Sequence, residues 1–382
     1  MVRQYTRLAV LLLNTALAFV VLNGLAWLWE RRPHDIPQVA YYGIERLRQV
    51  YPGMTDAEVR QLLWETYYGD DARGFAYEQI TQFREPAYHG RYVNVDPAGF
   101  RLVKDQGPWP PDPRAFNVFA FGGSTTFGYG VPDAGSIPSR IQELAAAAGC
   151  DQPVHLYNFG RAAYYSTQEE LLFQTLLWSR VKPDLAVFVD GLNDFYAGDD
   201  VLQFTPELTQ LAAQRTVKQQ IGILADMPLV DWAAHRLVEW RERNQSPGNL
   251  RDEATLTRLI ARWQRNRSVA ELLARQAGVR TLFVLQPIPT YGYDLAYHLF
   301  YKPEPGYFGE FDRAGYAYER LSQLLPELSR GGDFLWLGDL QRDRHENLYV
   351  DFVHYDEAFS RDIAAAIFGV MRERGMVPCP PT

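Results

Sequence analysis

Hydrophobic and polar positions divide the chain into three regimes. The first, residues 8–29, runs from Leu8 to Trp29 without a charged side chain. As a helix it is long enough to cross the hydrocarbon core of a bilayer, and Trp27 and Trp29 fall where an interfacial aromatic belt would lie. A cleaved signal peptide competes with that reading, because Ala16-Leu17-Ala18 resembles a small-residue cleavage site. The apolar run continues beyond it through Phe19-Val20-Val21-Leu22, which favours a retained anchor over cleavage and over a buried soluble helix.

The second regime, residues 30–115, is mixed. A Pro-containing linker, RRPHDIPQVA, leads to a capping box in which Thr55 precedes Glu58 by three positions and an apolar face follows. RYVNVDPAGFRLV reads as two extended runs around Asp96-Pro97-Ala98-Gly99, a hairpin pattern. The proline-dense GPWPPDPRA, residues 107–115, is expected to join this leading segment to a main domain.

From Phe116 the pattern becomes short apolar runs alternating with helical periodicity. FNVFAFGG, HLYNFG, LAVFVDG, TLFVLQPIP and FLWLGDL read as five strands, separated and closed by amphipathic helical stretches. Such alternation predicts parallel strands with right-handed crossovers, hence an α/β three-layer sandwich over residues 116–376, with a short tail at 377–382. Residues 1–7 form a short N-terminal tail. The long stretch 196–264 is a candidate helical cap. The sequon Asn266-Arg267-Ser268 lies inside a helical pattern and is discounted as a glycosylation site.

Composition narrows the function. The net charge is −8 with no run of Lys and Arg, which argues against nucleic acid as a partner. The two cysteines, Cys150 and Cys379, make no metal or CxxC motif. Cys150 lies just before the second strand and Cys379 just beyond the closing helix, so a disulfide between them is open to an oxidising compartment, as is a pair of free thiols. Arg3 and Arg7 precede the apolar run and Arg31 and Arg32 follow it, a balance that the N-terminal amine tips towards N-terminus inside. The large domain is then expected outside the cytoplasm.

In an open parallel sheet, ligands bind beyond the carboxyl ends of the strands. The first three exits carry Gly122-Gly123-Ser124, Asn158-Phe159-Gly160 and Asp190-Gly191-Leu192-Asn193-Asp194. A serine nucleophile needs a base and a group that orients the base. Of the seven histidines, His354 alone has an aspartate three residues earlier, Asp351, on the segment between the last strand and the last helix. Asp351 could hold one imidazole nitrogen while the other faces Ser124. Oxyanion donors are then expected from the Ser124 N–H, the Gly160 N–H and the Asn193 side-chain amide. Taken singly, each residue has a plainer reading: turn glycines, a helix N-cap at Asn193-Asp194, or an anion nest at Ser124-Thr125-Thr126. GxxxxGK[ST] is absent, so a Walker site fails. The ordered conjunction at successive strand exits outweighs the single readings.

That ordered set resembles the SGNH/GDSL hydrolase family. Gly122-Gly123-Ser124-Thr125 matches its first block, Asn158-Phe159-Gly160 the second, Gly191-Leu192-Asn193-Asp194 the third and Asp351-Phe352-Val353-His354 the fifth. The resemblance implies Ser124 as nucleophile, His354 as general base and Asp351 as its orienter. Ser124, Gly160 and Asn193 would form the oxyanion hole, with no cofactor and no metal. The first block departs from Gly-Asp-Ser-Leu, and Arg161-Ala162-Ala163 follows the second where a further glycine is absent. The expected protein is a membrane-anchored, extracytoplasmic serine esterase that removes a small acyl group, foremost acetyl, from a carbohydrate. Three alternatives stand beside it: an O-acyltransferase working with a membrane acyl-donor partner, a catalytically silent glycan-binding protein, and an acylhydrolase of lipid esters or thioesters.

Overall fold

The computed structural model describes residues 2–30, 35–67, 75–196, 202, 227–230, 232, 236, 248–304 and 306–381. The chain divides into two compact units, one of Met1–Asp35 with Phe204–Gly248, the other of Ile36–Gln203 with Asn249–Thr382. The first contains helix α1 (Val2–Glu30). Within Arg3–Trp29 the most apolar 18 residues have a mean hydropathy of 2.2, their large apolar side chains are exposed, and the helix is long enough to cross a membrane or to serve as a signal sequence. Its polar side chains turn back on the helix. Thr15 Oγ1 donates to Leu11 O at 2.9 Å and Asn23 Nδ2 to Phe19 O at 2.8 Å, as apolar surroundings require.

The second unit opens with α2 (Pro37–Tyr42), α3 (Ile44–Leu47) and α4 (Asp56–Tyr67). The capping box of α4 is formed: Glu58 N–H donates to Thr55 Oγ1 at 3.3 Å, and Thr55 N–H to Glu58 Oε2 at 3.0 Å. Four short strands follow as two antiparallel pairs, β1 (Ala76–Glu78) with β2 (Gln82–Arg84), and β3 (Tyr88–His89) with β4 (Asn94–Val95). The turn at Asp96–Gly99 closes as expected, with Gly99 N–H donating to Asp96 O at 2.8 Å. Arg101 then bridges antiparallel to Asn158 and so covers an edge of the main sheet.

That sheet consists of β5 (Phe116–Gly122), β6 (Val154–Gly160), β7 (Leu185–Asp190), β8 (Arg280–Leu285) and β9 (Phe334–Trp336). All neighbours are parallel, in the order β6-β5-β7-β8-β9. The five expected strands and the three-layer α/β class are therefore present. Alternation along each strand builds the two faces. Val118, Leu156, Val187 and Val284 enter one apolar core together with Ile137 and Ile141 of α6 (Ile137–Ala147). Phe121, Phe188 and Phe283 point the other way and stack face to face, with centroids 4.9 and 5.1 Å apart.

The remaining helices are α5 (Ser124–Phe127), α7 (Ser166–Trp178), α8 (Leu192–Tyr196), α9 (Glu253–Ala277), α10 (Asp312–Leu328) and α11 (Glu357–Glu373). Helix α9 starts where Asp252 accepts from Thr255 N–H at 2.8 Å and ends on Gly278 at φ 67°. The candidate cap at 196–264 lies largely outside the described residues, and its last part belongs to α9. Cys150 and Cys379 are joined by a disulfide, which ties the C-terminal tail to the start of β6.

One boundary differs from the sequence reading. The segment set apart as 30–115 belongs, from Ile36 onward, to the same compact unit as the sheet. Its apolar residues Tyr51, Leu62, Val93 and Val95 share a core with Phe127, Phe300 and Val350 from the main domain. Proline density marked a junction, but burial of these side chains makes it an internal one.

Candidate active site

In the order β6-β5-β7 the chain leaves β5 in one direction across the sheet and returns to β7 on its other side. The exits of β5 and β7 therefore flank a topological switch point. Ser124 follows β5 as the first residue of α5, and Asn193 follows β7 in α8. Gly123 separates Ser124 from the strand. A Cβ on Gly123 would sit 2.5 Å from Asn193 Nδ2, so only glycine admits the Asn193 amide this close to the Ser124 backbone.

The loop between β9 and α11 brings Asp351 and His354 to the same point. Ser124 Oγ donates to His354 Nε2 at 2.8 Å, and His354 Nδ1 donates to Asp351 Oδ2 at 2.7 Å. Both Asp351 oxygens are filled. Oδ1 accepts the N–H groups of Val353 at 2.9 Å and His354 at 2.8 Å, and Oδ2 accepts Tyr67 Oη–H at 2.7 Å. Burial pushes the Asp351 carboxyl up. The facing His354, its two bonds to Asp351 and the Tyr67 hydroxyl overcome this and hold the carboxyl down at about 2. Tyr129 stacks on the His354 ring with centroids 5.4 Å apart.

The Asn193 side chain donates one hydrogen to Tyr164 O at 2.8 Å. An amide nitrogen carries two, which leaves the second for another acceptor. Gly160 reaches the end of β6 beside Gly122, as expected. Its N–H, however, donates to Asn158 Oδ1 at 3.0 Å. A Cβ there would lie 2.4 Å from Phe127 N, so the missing side chain admits α5 against β6. Gly160 thus packs α5 against β6, and its N–H is already engaged by Asn158. Three residues on, Ala163 has φ 55°, a left-handed conformation uncommon for a residue with a Cβ. Among the described residues, no acceptor takes the Ala163 N–H. The loop that holds it is braced from upstream. Ala162 N–H donates to Glu85 Oε1 at 2.7 Å, and the Arg161 guanidinium pairs with Glu78 and donates to Tyr164 Oη at 2.9 Å.

Further supports had no signature in the sequence. Arg101 is fully buried and donates to Phe127 O, Gly128 O and Val131 O at 2.9, 2.6 and 2.7 Å, pinning the turn after α5. Thr125 Oγ1 donates to Gln286 Oε1 at 2.7 Å and ties α5 to the exit of β8. Beneath the Asn193 loop lie three buried carboxyls, Glu169, Asp190 and Asp194. Burial, then the neighbouring carboxylates, raises Glu169 well above its usual range, and burial and Asp194 raise Asp190 to about 7. Among the described residues no cluster of three or more His, Cys, Asp or Glu could hold a metal ion. A cavity of about 700 Å³ lined by Gln142, Cys150 and His155 opens near the start of β6, away from these residues.

No family model matches the chain, and no curated protein matches it. Solved structures do. A protein of the G-D-S-L family from Desulfitobacterium hafniense DCB-2 is 12% identical over 67% of this chain and 99% of its own, with a TM-score of 0.34. A catalytic mutant of an acetylxylan esterase from Geobacillus stearothermophilus is 12% identical over 70% of this chain and 97% of its own, with a TM-score of 0.34. The lipase/acylhydrolase from Enterococcus faecalis is 14% identical over 68% and 96%, also at 0.34. The chain is similar to these proteins.

Proposed function

We propose that the protein is a serine esterase, and the observation that carries this reading is the continuous path from Ser124 Oγ through the His354 imidazole to Asp351. Ser124 Oγ attacks the ester carbonyl as His354 Nε2 takes its proton, and ionised Asp351 stabilises the imidazolium. The tetrahedral oxyanion is met by the N–H of Ser124, the free hydrogen of Asn193 Nδ2 and, in place of Gly160, the N–H of Ala163. Collapse expels the alcohol, protonated by His354, and leaves an acyl-Ser124 ester. Water deprotonated by His354 then releases the acid.

The substrate we propose is an acylated, foremost acetylated, carbohydrate. Support comes from half-buried rings beside the reacting groups. Phe352 sits between Asp351 and His354, Phe311 lies 5.6 Å from it, and Tyr196, at the end of the Asn193 helix, stacks on Phe311 at 4.7 Å. Such ring faces suit the apolar faces of a pyranose. The apolar helix α1 supports a membrane anchor, and the Cys150–Cys379 disulfide supports a catalytic unit outside the cytoplasm. An anchored enzyme could also pass its acyl group from a membrane donor protein to a sugar hydroxyl.

The test is acid release by the full chain in detergent, from aryl acetate, from longer acyl esters and from an acetylated oligosaccharide. Acetate release that disappears in Ser124→Ala is expected. Undiminished hydrolysis by Ser124→Ala would overturn the reading, and acyl transfer to an added glycan without hydrolysis would make the protein a transferase.

A further inference from the structure

Helix α4 ends at Tyr67, far upstream of the catalytic loop, yet its hydroxyl reaches the carboxylate of Asp351 across 284 positions of sequence. It does not take a spare lone pair on the distant oxygen. It shares Oδ2 with His354 Nδ1, each at 2.7 Å. The ring is placed as tightly as the hydroxyl, meeting Tyr129 edge-on at 5.1 Å, while Tyr129 in turn stacks on His354. Two donors on one carboxylate oxygen compete for the same electron density, so the phenol draws charge away from the side of Asp351 that faces the imidazole.

We propose that Tyr67 is a positioning residue of the triad, which fixes Asp351 Oδ2 against His354 and lowers the basicity that Asp351 confers on the imidazole. The inference rests on the esterase reading of Ser124. Its consequence is that a segment lying between the anchor and the sheet sets the pH window in which His354 works as a base. The other titratable groups that face Asp351 are Tyr42 of α2, Tyr51 before α4, and His298 and Tyr307 between β8 and α10. Burial raises the Tyr42 and Tyr51 phenols and keeps them neutral, and it lowers His298 to about 4, so it too is neutral near pH 7. The acids Asp356 and Glu357 face Tyr51. Tyr67 is the phenol bonded to the carboxylate itself.

Tyr67→Phe keeps the ring and deletes the donor. In the full chain, the acid limb of the kcat/KM profile should move up by about 0.5 to 1 pH unit, as expected for losing one charge-assisted bond shared between two donors. At pH 7 kcat should fall about fivefold with KM unchanged. On an Asp351→Asn background the same change should have no further effect, because the residue acts through that carboxylate. Site-specific 3-fluorotyrosine at position 67, a stronger donor of the same shape, should move the limb down, and it serves as the test if the Phe variant does not fold. A limb that stays in place in both variants, with only the melting temperature altered, would overturn the proposal and reduce Tyr67 to a structural contact. Hydrolysis retained by Ser124→Ala would instead fault the esterase reading itself.

Discussion

The carboxylate of Glu85 accepts the backbone N–H of Ala162 at 2.7 Å, so a residue from the leading segment, 77 positions upstream, fixes the peptide that precedes Ala163. Glu85 is buried, and the loop it holds also presents Tyr164 O to the Asn193 amide. Glu85→Ala should therefore act on turnover as well as stability. Removing an acceptor from a buried N–H costs about 1–3 kcal/mol, and a displaced oxyanion donor should lower kcat by about tenfold or more. Urea unfolding and steady-state kinetics on the same sample check the two effects. A stability loss with kcat intact would separate Glu85 from the site.

The triad and the oxyanion donors should separate in a labelling experiment. Ser124→Ala should abolish covalent modification by a serine-directed phosphonate, and His354→Ala should slow it severely. Asp351→Asn removes the charge facing the imidazole and should also slow it. Asn193→Ala leaves the Ser124–His354 bond in place, yet it should cost on the order of 10² to 10³ in turnover, the usual cost of one oxyanion-hole donor. Ser124→Ala and Asn193→Ala should stay folded, because these two side chains stand just beyond strand exits. Equal turnover in Asn193→Ala and the parent would remove Asn193 from the hole.

The parts of this arrangement differ in how openly the sequence carries them. Five buried strands announce themselves because both faces of each need apolar side chains, and the order of Ser124, Asn193, Asp351 and His354 follows from chemistry that few residue types can perform. The leading segment gives no such sign. Tyr67 and Glu85 look like ordinary helix-end and surface residues until tertiary packing carries them to the site. The second block is hard to read for a different reason. A glycine at a strand exit suggests a free N–H, but Gly160 is needed for close approach of α5, while the left-handed position falls to Ala163, whose side chain gives no hint of it.

The disulfide should contribute substantially to stability. Cys150 and Cys379 are 229 positions apart and close a loop that includes β6, β7, β8 and β9. A cross-link of that span restricts the unfolded chain and is worth about 2–4 kcal/mol. Cys379→Ser should lower the unfolding midpoint accordingly while leaving Ser124 reactive towards the phosphonate. An unchanged midpoint would mean that the tail is held by packing alone.

Stability should also depend on pH in two opposed ways, set by two groups of buried carboxyls. Asp190 Oδ2 accepts Trp263 Nε1–H at 2.8 Å, whereas Asp190 Oδ1 and both Glu169 oxygens have no N–H donor among the described residues. Burial, and then the neighbouring carboxylates, raise both groups in the folded protein, Glu169 well above its usual range and Asp190 to about 7. A raised carboxyl favours the fold fully below the ordinary carboxylate range, and that contribution is lost as pH rises through the folded value. Asp351, lowered to about 2, behaves oppositely: its contribution is present above the ordinary range and is lost as pH falls through about 2. The unfolding free energy should accordingly decline between pH 5 and pH 8, by on the order of 1–3 kcal/mol, and fall again in strong acid. Glu169→Gln supplies a permanent donor to Asp190 and removes one titrating group, so it should flatten the decline on the alkaline side and leave the acid limb as it was. A parent stability that rises from pH 5 to pH 8 would contradict the raised carboxyls.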